Sequence, residues 1–325
     1  MSVTKFSNST GDYFVGDNAN DIISSAPKGF GDKPNYMYGG GGNDSMYGSY
    51  GWDEMYGGDG NDVLSDISLG LLHGEAGNDY LEITSGGGKL YGDAGNDTLT
   101  SGSGESTLKG GAGDDKFIFS KSQNFGYCEI DGGDEDFVGN TPGQANYHGH
   151  DEIIAYGDNT VIGLKSIARI DSITGHGNNT TIQTANTATR LDFSNTTLTG
   201  IAQITGLNGD DTIIGSNGND TIFGGWSNRD ALFGGAGDDL LIGNGGELTG
   251  GTGADIFKSV GAVTVKDFNA AEGDRIFVRA GVEAECAIKG NDTFVKFTQN
   301  GQSYGSITLS GITVNDLPDS WIIRG

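Results

Sequence analysis

Apolar residues recur along this chain at intervals close to nine, each at the centre of a run of about three residues bounded by glycine-rich, polar stretches. In the first half they are Met46, Met55, Leu64, Leu72, Leu81, Leu90, Leu99, Leu108 and Phe117; in the second, Ile213, Ile222, Leu232, Leu241 and, after a longer step, Phe257. Three residues with an apolar centre, as in Val63-Leu64-Ser65, predict a short strand that turns its centre inward and its flanks to water. The six residues before each strand, as in Gly57-Gly58-Asp59-Gly60-Asn61-Asp62, must reverse the chain, and glycine enters the required left-handed backbone regions at little cost. Two such nine-residue units make one coil of 18 residues, which stacks on the next at the inter-strand distance of about 4.8 Å. The pattern predicts an all-β fold, a parallel β-roll or β-helix solenoid whose core is a column of stacked apolar residues.

The sixth position of each turn carries the chemistry. Asp44, Asp62, Asp79, Asp97 and Asp115 are spaced by 18, 17, 18 and 18 residues, so each meets its neighbour across one coil step. One Asp-Gly turn is ordinary; eleven aligned copies with the apolar position filled each time are not. Stacked turns also aim backbone carbonyls into the gap between coils. An all-oxygen, negatively charged cage suits Ca²⁺, which accepts irregular geometry, better than Mg²⁺, which demands an octahedron and sheds water reluctantly. The expected pairs in the first block are Asp44/Asp62, Asp62/Asp79, Asp79/Asp97 and Asp97/Asp115. Asp21 ends a weaker version of the turn. On the opposite edge Asn35 and Asp53 hold position six, but Gly70, Gly88 and Ser106 follow, so the ion ladder there is expected to lapse while the coil continues. In the second block Asp211, Asp220, Asp230, Asp239 and Asp255 alternate edges, giving Asp211/Asp230, Asp220/Asp239 and Asp239/Asp255. About seven to ten calcium sites are expected in all.

The runs Gly39-Gly40-Gly41-Gly42-Asn43-Asp44-Ser45-Met46 and Gly234-Gly235-Ala236-Gly237-Asp238-Asp239-Leu240-Leu241 fit G-G-x-G-x-D-x-U-x, with U apolar. In this the chain resembles the RTX family of secreted calcium-binding proteins. The resemblance implies two calcium β-rolls, at 1–120 and 206–260, separated by a metal-poor β-solenoid segment at 121–205. Leu191–Gly206 resembles segments that lead into such blocks, and Val265-Lys266-Asp267-Phe268 the strand that ends them. The remainder, 261–325, resembles a C-terminal cap with an uncleaved type I secretion signal, around Leu309-Ser310-Gly311-Ile312, Asp316-Leu317 and Trp321-Ile322-Ile323. Arg324-Gly325 departs from the apolar or acidic ending the family favours. The resemblance further implies an extracellular, cell-surface protein of a Gram-negative-type bacterium.

Composition explains why metal matters. With 34% hydrophobic residues and a formal charge of −26, burial alone does not offset the ordering entropy. A ligand that binds only the folded stack stabilises it by about 1.4 kcal/mol per site at tenfold its dissociation constant, and several linked sites by on the order of 10 kcal/mol. Extracellular modules bind calcium at roughly 10⁻⁴ to 10⁻³ M, so folding is expected outside the cell. The 18 basic residues form no cluster, which disfavours nucleic acid and anionic membranes. No apolar stretch reaches the length of a membrane span, and Met1–Ser7 lacks the features of a secretory signal peptide. Cys128 and Cys286 are 158 residues apart, nearly nine coils or about 40 Å of continuous solenoid, and are expected to be free thiols.

No G-x-S-x-G, H-E-x-x-H or P-loop is present. The one suspicious constellation is Tyr147-His148-Gly149-His150-Asp151-Glu152, a potential acid–base or transition-metal group, weighed against a polar loop leaving the solenoid. Asp131, Asp134 and Asp136 are candidates for an irregular calcium site. With repeats beginning by Gly16, a separate catalytic domain is not expected, and no enzyme activity is assigned. Three functions compete: a structural protein that self-associates through solenoid ends into a layer, filament or matrix; a calcium-dependent adhesin or module that binds acidic polysaccharide through calcium; and a polysaccharide-modifying β-helix enzyme.

Overall fold

A computed structural model describes residues 3–8, 10–25, 34–120, 126–133, 149–314 and 317–325. Every element in them longer than a single turn is a strand. The chain divides into two compact units, Met1–Thr180 and Thr181–Gly325.

In the first unit, two stacks of parallel strands face each other across the apolar column. One contains Asp12–Val15, Asn35–Gly41, Trp52–Asp59, Leu69–Ala76, Lys89–Ala94, Ser106–Ala112, Cys128–Gly133 and Val161–Ala168. Its register stacks Phe14, Met37, Met55, Leu72, Leu90, Leu108 and Ile130 directly on one another. The other runs from Ile22–Ser24 through Ser45–Tyr47, Val63–Asp66, Tyr80–Ile83, Thr98–Thr100, Lys116–Ser120 and Glu152–Tyr156 to Ser172–Gly175. It stacks Ile23, Met46, Leu64, Leu81, Leu99, Phe117, Ile153 and Ile173. These side chains are almost wholly buried. The predicted parallel β-roll is the fold observed, with the apolar position inward in every coil.

The coils persist where glycine thins out. Glu152–Tyr156, Val161–Ala168 and Ser172–Gly175 join the same stacks, and asparagine shares the turns of this part with Gly157 (φ 92°) and Arg169 (φ 53°). Asn159 and Asn179 both take left-handed backbone (φ 57°), which asparagine tolerates better than most residues. Asn178 and Asp158 join side chain to side chain (Nδ2 to Oδ1, 3.0 Å), as do Asn179 and Asn159 (Nδ2 to Oδ1, 3.2 Å).

The second unit repeats the design, with strands that range from three residues to the thirteen of Leu240–Thr252. Leu191, Ile213, Leu232, Leu248, Val265 and Leu309 form one column, and Ile204, Ile222, Leu241, Phe257, Ile276 and Ile322 the other. An antiparallel sheet, Glu283–Lys289, Asp292–Gln299 and Gln302–Leu309, covers the last coils. The C-terminal stretch folds onto this core: Trp321 is buried edge-on against Phe268, and Ile322–Arg324 pairs in parallel with Arg275–Val278. Asp316 lies outside the described residues. Cys128 is buried and Cys286 exposed, and both are free thiols.

Candidate metal centres

The strand register brings the predicted aspartates into a ladder along one edge of the first unit. The backbone N–H of Asp21 donates to Asp44 Oδ1, that of Asp44 to Asp62 Oδ1, and that of Asp62 to Asp79 Oδ1, each at 2.7 Å. Asp79 donates in turn to Asp97 Oδ1 at 2.7 Å, and Asp97 to Asp115 Oδ1 at 2.8 Å. The ladder then runs past the predicted block. Asp115 N–H donates to Asp151 Oδ1 (2.9 Å), and Asp151 N–H to Asp171 Oδ2 (2.9 Å). Asp151 escaped the periodicity because the coil from Asp115 takes 36 residues instead of 18.

Each ladder carboxylate uses only one oxygen in this way. The Oδ2 atoms of Asp44, Asp62, Asp79 and Asp97 are buried with no hydrogen-bond partner. Each lies beside the leading glycine of its own turn, next to a carbonyl of the following coil. A Cβ on Gly57 would stand 2.3 Å from Asp62 Oδ2 and 2.6 Å from the Gly74 carbonyl oxygen; on Gly92, 2.3 Å from Asp97 Oδ2 and 2.5 Å from that of Gly110. Glycine is required there because the space is already walled by oxygen.

Two edges carry the same arrangement in the second unit. On one, Thr189 N–H donates to Asp211 Oδ1 (2.8 Å), and Asp211 N–H to Asp230 Oδ1 (3.0 Å). On the other, Asp220 donates to Asp239 Oδ1 (2.8 Å), Asp239 to Asp255 Oδ1 (3.0 Å), and Asp255 to Asp274 Oδ1 (3.0 Å). The Oδ2 atoms of Asp211, Asp230, Asp239 and Asp255 are again buried and bare. Asp274 ends no glycine-rich turn of the nonapeptide pattern, since Asn269-Ala270-Ala271-Glu272-Gly273 precedes it, yet it closes the foot of this ladder.

A second polar ladder runs beside the first, at the x before each aspartate. Asn20 Oδ1 accepts Asn43 N–H (2.9 Å), Asn43 Oδ1 accepts Asn61 N–H (2.9 Å), and Asn61 Oδ1 accepts Asn78 N–H (2.8 Å). Asn78, Asn96 and Asp114 continue it to His150 at 2.8 to 3.0 Å. Here each oxygen takes the amide of the following coil, whereas each aspartate takes that of the preceding one. The recurrence of Asn at this position was the available signal.

Burial governs the ionisation of the bare carboxylates. It pushes Asp79, Asp211 and Asp239 up to about 7, and Asp97 and Asp255 up to about 6, against partial relief from the donated N–H groups. Asp44, Asp62, Asp220, Asp230 and Asp274 are raised for the same leading reason. Among the described residues no three His, Cys, Asp or Glu side chains converge. A cation here would therefore draw on Asp Oδ2 atoms and glycine carbonyls, which are the hard oxygen donors calcium takes.

Asn35 and Asp53 meet on the opposite edge, Asn35 Nδ2 donating to Asp53 Oδ1 (2.5 Å). Asp131 pairs with Arg169; Asp134 and Asp136 lie outside the described residues. Tyr147 and His148 also lie outside them. The described half of that constellation is engaged in coil stacking: His150 N–H on Asp114, Asp151 in the ladder, and Glu152 Oε1 accepting the Thr174 hydroxyl at 2.8 Å.

Four copies of the RTX calcium-binding nonapeptide repeat match the sequence, within residues 31–64, 91–120 and 198–229. The chain carries RTX calcium-binding repeats. Asp21, Asp79, Asp230, Asp239 and Asp255 fall outside the matched segments yet make the same coil-to-coil hydrogen bonds, so the RTX geometry extends beyond them. The chain is similar to the AlgE6R3 subunit of the Azotobacter vinelandii mannuronan C5-epimerase, at 26% identity and a TM-score of 0.29 over 35% of this chain and 77% of that one. It is also similar to the extracellular lipase LipA of Serratia marcescens, at 15% identity and a TM-score of 0.26 over 80% of this chain and 40% of that one. No curated protein matches the sequence. No helix among the described residues is long and apolar enough to cross a membrane.

Proposed function

We propose that this chain is a secreted structural protein of a Gram-negative-type bacterium that folds on calcium outside the cell and associates with further copies at a surface or in a matrix. The observation that carries the reading is the row of buried carboxylates with bare Oδ2 atoms, repeated on the edges of both units. Asp21, Asp44, Asp62, Asp79, Asp97 and Asp115 would hold ions in the first unit, and Asp211, Asp220, Asp230, Asp239 and Asp255 in the second. Calcium, when bound, supplies the positive charge that stacked carboxylates need in order to stay ionised while buried. The chain's own part is positioning: the Asn ladder fixes each turn from one side and the Asp Oδ1 bonds from the other.

Self-association is supported by the strand Thr4–Ser7, which pairs antiparallel with Asp12–Val15 and is exposed at all four residues. An exposed strand edge is a template for another chain. Light scattering with negative-stain microscopy tests the reading. Ordered sheets or filaments are expected in millimolar calcium and none in chelator; a monodisperse particle in both contradicts assembly.

A second reading, a module that binds acidic polysaccharide, is supported by one outward row. Tyr38, Tyr56, His73 and Tyr91 stack with centroids 4.5 to 5.2 Å apart and present their edges along the first unit. Retention of monomeric protein on immobilised uronate polymers, in calcium only, would favour it over assembly.

A further inference from the structure

Opposite the aspartate ladder, the first unit loses its position-six residue after Asp53, and the space is filled from within the coil. At Gly70 a Cβ would stand 2.4 Å from Asp66 Oδ2 and 3.3 Å from the Asp53 carbonyl oxygen. One coil on, at Gly88, the same place is taken by Ile83 Cδ1 at 2.4 Å. At Ser106 it is taken by Ser101, the hydroxyls 2.5 Å apart. Asp66 stacks on Ile83 in the strand register, so this column puts a carboxylate in the core where the next coil puts isoleucine.

The carboxylate is not solitary. Asp66 is fully buried and Asp53 is 1% exposed. Their Oδ1 and Oδ2 atoms lie 2.6 and 2.7 Å from the position a Cβ would take on Gly48, and the two side chains are within hydrogen-bonding reach of each other. Asp53 already accepts Asn35 Nδ2 on Oδ1 and Ser49 N–H (2.7 Å) on Oδ2, and Asp66 Oδ1 accepts Ile67 N–H (2.7 Å). Left without a partner are Asp66 Oδ2, Asn35 Oδ1 and Ser49 Oγ, all buried oxygens of one neighbourhood. None of the ion pairs among the described residues includes either carboxylate. Two facing carboxylates in a dry core repel strongly unless an opposite charge or a shared proton stands between them.

We propose that Asp53 and Asp66, supported by Asn35 and Ser49, form a cation site separate from the aspartate ladder, taking one hard divalent ion such as calcium. The donors are oxygen throughout, as such an ion requires. One of the carboxylates comes from an inward strand position, outside the nonapeptide's own ligand slots. The site shares with the ladder reading only the identity of the ion.

The test uses the full chain crystallised in calcium and mapped by anomalous scattering. A peak between Asp53 and Asp66 is expected in addition to those on the ladder. Ladder peaks with nothing here would overturn this site and leave the ladder standing. In solution, native mass spectrometry at saturating calcium should find one ion fewer in Asp66→Asn and in Asp66→Ile than in the unaltered chain. The isoleucine variant copies the next coil and guards against misfolding of the first. An unchanged count in either variant, with its β spectrum intact, overturns the proposal and leaves the pair sharing a proton.

Discussion

An aspartate that takes one backbone N–H on Oδ1 and leaves Oδ2 buried and bare is only half satisfied, whereas an asparagine in a stacked turn carries its own donor. Asn178 on Asp158 and Asn179 on Asn159 link coils through that amide donor. Asp79 on Asp97 does not close, and the free oxygen needs a cation or a proton. Asp79→Asn keeps the acceptor for Asp62 N–H and removes the charge. The calcium concentration at the folding midpoint should therefore rise by about tenfold, equivalent to about 1.4 kcal/mol, in a titration followed by circular dichroism; an unshifted midpoint removes Asp79 from the ligand set. The raised carboxyls fix the pH dependence of the metal-free chain. Their ordinary value is 3.8, and in the fold Asp79 and Asp239 stand near 7 and Asp97 near 6. The unfolded chain ionises first, so their contribution to stability is whole below about pH 4 and lost as pH climbs through about 6 to 7. In EGTA, more β structure is expected at about pH 4.5 than at about pH 8, with calcium affinity running the other way; a flat chelator profile contradicts this. The ladder aspartates were legible because their period equals the coil. Asp66 was not, since a charged residue at an inward strand position breaks the very pattern used to read the strand.

At the scale of the coil, glycine and apolar residues divide the work. Gly95 has φ 135°, and a Cβ there would stand 1.6 Å from the Gly77 carbonyl oxygen. Gly95→Ala should cost more than about 2 kcal/mol in calcium-saturated thermal or denaturant unfolding; a loss below about 0.5 kcal/mol would mean the turns do not pack as described. Among the described residues, three turns hold a residue other than glycine in the left-handed region at the second position, Glu75 at φ 73°, Asp93 at φ 72° and Leu207 at φ 55°. Asp93 receives a partner in exchange, since its Oδ2 meets His73 Nδ1 at 2.9 Å within the aromatic row. Strand positions were readable from single apolar residues, because x-U-x leaves one way to bury the centre. The long coil between Asp115 and Asp151 was not, because an insertion erases the period while the register survives it.

For the molecule as a whole, a charge of −26 is carried on a core built of narrow stacked apolar columns, and on the proposed reading each unit's stability depends on what neutralises its edges. Secretion and assembly would follow from that dependence: a chain unfolded where calcium is scarce can be exported as a thread and fold where calcium is abundant. The dependence is measured most directly by far-UV circular dichroism of the full chain near pH 7.5, first in EGTA and then through a calcium titration. A coil spectrum that converts cooperatively to β structure at roughly 10⁻⁴ to 10⁻³ M calcium is the expected result. A β spectrum already complete in EGTA, and unmoved by calcium, would contradict the account.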